Sequence, residues 1–134
     1  MVGDKNETSY IEKIIKGTKA INNSGKSTVF ELYKDVVTAN LVICHDSSVM
    51  HIADTNSIPC IALLGPTDFS RTGPRSYNTI PIVSVNQSTM YMYNLEEDED
   101  STINRYGPNY CMENINFEMV KAAIKILIEN KNAN

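Results

Sequence analysis

The sequence predicts an α/β fold, a Rossmann-like parallel sheet with flanking helices. Three observations carry this. Apolar runs at residues 41–44, 60–64 and 80–85 have strand length and are bounded by turn residues. Segments with apolar residues at helical spacing stand between and around them. The first two runs each empty into a polar turn, Asp46-Ser47-Ser48 and Gly65-Pro66-Thr67-Asp68. Strands alternating with helices imply βαβ units with right-handed crossovers, and two such turns then share the carboxyl edge, where α/β proteins place ligands.

Taken in order, Met1-Val2-Gly3 reads as the end of a strand running into a turn, so the 134 residues are expected to be a single, incomplete domain of a longer protein. Asp4 and Glu7 have the spacing of a capping box. The helix behind them carries Ile11, Ile14 and Ile15 on one face and ends at Gly17. Residues 19–22 form a short expected strand before the turn signal Asn23-Ser24-Gly25. Thr28 and Glu31 repeat the capping-box pattern ahead of a helix that buries Val29, Leu32, Val36 and Val37. Strand 41–44, a helix over 48–56 with Val49, Ile52 and Ala53, and strand 60–64 follow. A loop rich in Gly, Pro, Thr and Ser runs through Ser76, and residues 80–85 make a last strand weakened by Pro81. The acids Glu96-Glu97-Asp98-Glu99-Asp100 repel one another and read as a solvated loop. Asn116 caps a closing helix with Val120, Ala123, Ile124, Leu127 and Ile128 on one face.

Composition narrows the function. A chain of 134 residues, 42% hydrophobic and 21% charged, suits one globular domain with a core. The net charge is −4 and the lysines are scattered, which argues against a nucleic-acid partner, since the phosphate backbone demands a basic face. No apolar run spans a bilayer and the start lacks a signal-peptide pattern. Cys44, Cys60 and Cys111 lack metal-ligand spacing; the first two sit in apolar runs and read as buried thiols of a reducing compartment.

The chemistry-bearing residues each have two readings. Asp46 is a ligand-facing carboxylate, an acceptor that fixes the loop, or an N-cap. Ser47 and Ser48, with the free N–H groups of the following turn, make a natural anion site; simple capping explains them too. His51 lies one turn further on, within reach of a phosphate or a sugar hydroxyl, though a lone His is ordinarily structural. Capping accounts for Glu7. Thr67 and Asp68 are turn formers or part of the same cradle, and Arg71 and Arg75 are surface cations or diphosphate partners. Gly25-Lys26-Ser27 resembles the end of a P-loop, but the required upstream glycine is Ala20. No dinucleotide fingerprint appears, and His45, His51 and Asp46 make no convincing metal site.

The segment Ala39-Asn40-Leu41-Val42-Ile43-Cys44-His45-Asp46-Ser47-Ser48-Val49-Met50-His51-Ile52-Ala53 resembles the signature of the family 9 glycosyltransferases, the lipopolysaccharide heptosyltransferases. Ile58-Pro59-Cys60-Ile61-Ala62-Leu63-Leu64-Gly65-Pro66-Thr67-Asp68 with Thr72-Gly73-Pro74 is similar, as are Gly25-Lys26-Ser27-Thr28 and Tyr110-Cys111-Met112-Glu113-Asn114-Ile115. The resemblance implies the two-domain GT-B architecture, this chain being part of the C-terminal, nucleotide-sugar-binding domain. It implies heptose transfer from ADP-heptose to the lipopolysaccharide core with inversion, without metal or other cofactor. Location would be cytoplasmic, at most peripheral to a bacterial inner membrane. The catalytic base would be a carboxylate of the N-terminal domain, and the phosphate-binding lysine would lie ahead of Met1, so the chain alone is expected to be inactive. By position, Asp46, Ser47 and Ser48 match the loop at the diphosphate and sugar, His51 the motif histidine, Glu7 the nucleoside-contacting glutamate, and Ser27 the adenine contact. Val49, Met50, Gly65 and Thr67 are further candidates for substrate contact. Ser48 departs from the family's usual glycine, and the acidic run has no counterpart. The competing readings are a GT-B-like nucleotide-sugar epimerase, a family member with another sugar donor, and a non-catalytic Rossmann-like module that binds a nucleotide or a partner protein.

Overall fold

The computed structural model describes residues 1–86 and 110–132; the acidic run 96–100 lies outside them. The chain divides into two compact units, Met1–Thr38 and Ala39–Asn134.

In the first unit both capping boxes form. Asp4 opens a 3-10 turn, Lys5–Glu7: its Oδ1 accepts from the Asn6 N–H at 2.8 Å, and Glu7 Oε2 accepts from the Asp4 N–H at 2.7 Å. Helix α1, Thr8–Ile15, follows, and Gly17 stops it at a φ of +81°. Ile11 is buried and Ile15 half-buried, but Ile14 is exposed: the covered stripe is narrower than the three-isoleucine face. Thr28 and Glu31 box the start of α2, Val29–Val37. Val36 is buried and Leu32 and Val37 half-buried. Val29 shares their side but stands in the first turn, beyond the covered length, and is 83% exposed.

Residues 19–22 do not make a strand. The Met1 amine donates to Ile21 O at 2.6 Å and the Asn23 N–H to Met1 O at 2.8 Å, an alternation typical of parallel pairing, but it does not become a ladder. Side chains take over instead. Buried Asn22 donates from Nδ2 to Thr8 O at 3.1 Å and accepts the Ser24 N–H at 3.0 Å, folding the chain into a local turn. Gly25 then passes Lys5 at a φ of +64°, where an added Cβ would stand 2.8 Å from Lys5 Cα.

The second unit holds a parallel three-stranded sheet in the order β1-β2-β3: Val42–His45, Cys60–Leu64 and Thr79–Val83. Register pairs Val42 with Cys60 and Cys60 with Thr79. Strand β2 is central and covered on both sides, which explains its unbroken apolar run; Cys60, Ile61, Ala62 and Leu64 are fully buried. Ile61 and Ile82 pack against Ala123 and Leu127 of the closing helix α5, Phe117–Asn132. Ala62 and Leu64 pack against Met50 of helix α3, Ser48–Thr55. Pro81 is tolerated because β3 is an edge strand of this sheet and does not need that N–H.

Two expectations change here. The loop through Ser76 contains a one-turn helix α4, Phe69–Thr72, capped by Asp68, whose Oδ1 accepts the Ser70 N–H at 2.9 Å. The face of α5 omits Ile128. Asn116 Oδ1 does accept the Met119 N–H at 3.1 Å, and Val120 and Ile124 pack beside Ala123 and Leu127. Ile128 stands about 140° round the helix from Ala123 and is exposed. Among the described residues no helix is long and apolar enough to cross a membrane.

Candidate functional site

Because β1 and β2 are parallel with His45 paired to Leu63, Asp46 and Gly65 leave the sheet at the same carboxyl edge. Apolar β1 and the buried Met50 side of α3 fix the turn between them, so residues 46–48 are held from both ends.

Asp46 is not the N-cap. Ser47 takes that position with extended backbone, φ −159° and ψ 172°, and it makes no side-chain cap bond; its Oγ donates to His45 O at 3.3 Å instead. The first-turn N–H groups of α3 are thus without a side-chain cap, the arrangement in which a helix start favours an external anion. Ser48, first residue of the helix, is exposed, so its hydroxyl stands at that start.

The Asp46 carboxylate is bonded across the fold. Thr72 donates its hydroxyl to Oδ2 at 2.6 Å, while Oδ1 lies 4.0 Å from His51 Nε2. The Asp46 side chain is 13% exposed and that of His51 55%, so the acid is sheltered and the imidazole faces outward. The N-cap reading of Asp46 is thus excluded, and Oδ2 acts as an acceptor that fixes the loop.

A carboxylate on α3 itself does similar work. Asp54 accepts the N–H groups of Arg75 and Ser76, both at 2.9 Å, and the Thr79 hydroxyl at 3.1 Å. Burial pushes the Asp54 carboxyl up, but these donors outweigh it, and with His51 nearby they hold it below the usual aspartate range. Sequence reasoning missed both Thr72 and Asp54. The donor–acceptor separations, 26 residues for Thr72 and 21 to 25 for Asp54, leave no local pattern to read.

Gly65 has a packing role. An added Cβ would collide with Met112 Sδ and stand 3.1 Å from Cys111 O. Its bareness lets the 3-10 turn Tyr110–Met112 lie against the end of β2. Met50 likewise belongs to the core, being fully buried, so its side chain is withdrawn from the edge. Val49 and Thr67 are half-buried. Arg75 is exposed, and its guanidinium donates to Ser70 O at 2.9 Å.

Cys44 and Cys60, on adjacent strands, bring their Sγ atoms to 3.7 Å. Sharing a hydrogen holds the Cys44 thiol down, while the same contact and burial push Cys60 up. All three cysteines are free. No group of three His, Cys, Asp or Glu side chains suited to a metal occurs among the described residues.

Glu7 and Ser27 belong to the first unit. Glu7 is exposed, with Oε2 engaged by the Asp4 N–H; Ser27 is exposed immediately before the Thr28 cap.

The sequence model described as glycosyltransferase family 9 (heptosyltransferase) matches residues 1–100. The chain is 31% identical over 72 residues to lipooligosaccharide heptosyltransferase 2 of Campylobacter jejuni serotype O:6, and 28% identical over 72 residues to its counterpart in serotype O:2. Each alignment covers 54% of this chain and 23% of the relative. The crystal structure of a family 9 glycosyl transferase from Veillonella parvula superposes with a TM-score of 0.75 at 21% identity, over 96% of this chain and 36% of that one. The matched segments therefore span 23% of the length of the heptosyltransferases and 36% of the solved structure.

Proposed function

The chain belongs to glycosyltransferase family 9, and from that premise we propose that it forms the donor-binding part of an enzyme that transfers a heptose from ADP-heptose to a lipopolysaccharide core acceptor. The observation that carries this reading is the α3 turn: a helix start with no side-chain cap, flanked by a sheltered carboxylate and an outward imidazole.

The chemistry follows from where charge develops. Breaking the bond between the anomeric carbon and the diphosphate loads negative charge onto the leaving group. N–H groups aimed outward from α3 stabilise that charge, and His51 stands beside them to donate a further hydrogen bond. The Ser48 hydroxyl adds a donor where the family usually has glycine. Asp46, an acceptor only, repels the phosphates and suits the sugar hydroxyls. Glu7 and Ser27 are assigned to the nucleoside by their positions in the family motif. On this reading the group that deprotonates the acceptor belongs to the N-terminal domain of a GT-B enzyme, which turnover requires as well. Neither metal nor another cofactor has a part in this scheme, and any membrane contact is peripheral and cytoplasmic.

The test is a titration of the 15N-labelled chain with ADP. The amides of residues 47–51 are expected to shift first and furthest. Largest shifts in the acidic run 96–100, or none near α3, would overturn the assignment.

A further inference from the structure

We propose that Thr72 is a positioning residue for Asp46, and that through Asp46 it governs how the site distinguishes a sugar-bearing donor from the bare nucleotide. The inference rests on the reading of the α3 turn given above. It starts from a single contact. Thr72 sits at the end of α4, on the loop after β2, and its hydroxyl donates to Asp46 Oδ2 at 2.6 Å. An O–H bonded to a carboxylate at that distance is charge-assisted and short, so it fixes the acid's rotamer.

A carboxylate has two oxygens, and the division of labour matters. Oδ2 is taken by Thr72. Oδ1 is the oxygen turned toward His51 at 4.0 Å, toward the outward side of the turn. Only 13% of the Asp46 side chain is exposed, so the lone pairs it can offer a ligand are few and their direction is set by the bond on the other oxygen. A carboxylate accepts from hydroxyls and repels phosphate oxygens. Fixing Oδ1 therefore acts on the sugar and leaves the diphosphate to the helix start.

A purely structural role stands against this. Thr72 Oγ1 also lies 3.2 Å from Asp68 O, the carbonyl that accepts the Thr72 N–H at 3.1 Å in the single turn of α4, so the hydroxyl could serve as a second tie on that turn. One hydroxyl carries one hydrogen, and the shorter, charged acceptor is Asp46. If closing α4 were the real function, loss of the hydroxyl would disturb the loop without favouring one ligand over another.

The experiment measures binding of ADP and of ADP-heptose to the 134-residue chain and to Thr72→Val, Thr72→Ser and Asp46→Asn, with the amide spectrum of each variant as the check of folding. Thr72→Val keeps the shape and removes the donor. It is expected to weaken ADP-heptose roughly three- to tenfold while ADP changes by less than about twofold. Thr72→Ser returns the hydroxyl and is expected to restore the preference. Asp46→Asn should lose at least as much ADP-heptose affinity as Thr72→Val. Equal weakening of both ligands by Thr72→Val would assign Thr72 to α4 alone and overturn the inference. An effect of Asp46→Asn with none from Thr72→Val would also overturn it, while leaving the site reading intact. Insensitivity of both ligands to every substitution, or failure of the unaltered chain to bind either, would remove the site reading and the inference with it.

Discussion

Replacing Gly65 with alanine separates a packing role from a ligand-facing one. The backbone does not forbid the change, since the positive-φ glycines among the described residues are Gly17 and Gly25. On conformational grounds alone, alanine would gain about 0.4–1 kcal/mol by restricting the unfolded chain. Space decides otherwise. The new Cβ meets Met112 Sδ, and Cys111 O at 3.1 Å, with Met112 Cγ at 3.4 Å behind. The thioether can swing aside; the carbonyl belongs to the backbone of the 3-10 turn and cannot move alone. Overpacking of this kind costs about 1–3 kcal/mol, so the net expectation is a loss of about 1 kcal/mol, with Tyr110–Met112 lifted from the end of β2. Urea denaturation gives the stability. Amide shifts give the location, expected around residues 84–86 and 110–115, because Asn86 Nδ2 donates to Tyr110 O at 3.0 Å and carries the displacement back. Met112→Ala in the same background should recover part of the loss through a coupling of about 0.5–1 kcal/mol. A Gly65→Ala chain of unchanged stability, with shifts confined to residues 46–51, would refute the reasoning and return Gly65 to the ligand edge.

Two further outcomes are expected. Asp54→Asn replaces one acceptor oxygen facing the Arg75 and Ser76 N–H groups and should cost about 1–2 kcal/mol at neutral pH by chemical denaturation. Because the folded Asp54 is held below its unfolded value, its contribution is complete above the ordinary aspartate range and fades as pH falls from about 4 through the lower folded value; a gap to the wild type that widened in acid would contradict this. Of the strand thiols, Cys44 should react with iodoacetamide before Cys60, since it is partly exposed and its thiol is held low while Cys60 is fully buried and pushed up; peptide mass spectrometry showing Cys60 modified first would reverse the assignment.

The strands and helices of the second unit were legible because burial writes itself into sequence. The run 60–64 is apolar throughout because β2 is covered on both faces, and both capping boxes could be read from residues three apart. Periodicity names a face but not how far its cover extends, which is why Ile14, Val29 and Ile128 were expected inside and stand outside. The strand over 19–22 gave way to a turn because Asn22 and Ser24 bond through their own side chains, a competition that apolar patterning does not register. Around the α3 turn, the cluster Asp46, Ser47, Ser48 and His51 could be singled out, but not the state of its acid. Ser47 as the cap and Thr72 as the partner of Asp46 are settled by backbone angles and by a contact made across two strands.

Asp46, in the turn before α3, and Asp54, near the end of that helix, have a joint effect. Asp46 holds Thr72 in the middle of the segment after β2, and Asp54 holds Arg75, Ser76 and Thr79 where that segment enters β3. The later half of a stretch that by composition should wander is pinned to α3 and to the turn ahead of it. Its freedom is surrendered during folding rather than at encounter. On the function proposed above, a ligand settling at that turn has little disorder left to quench there, and more of each contact it makes survives as affinity.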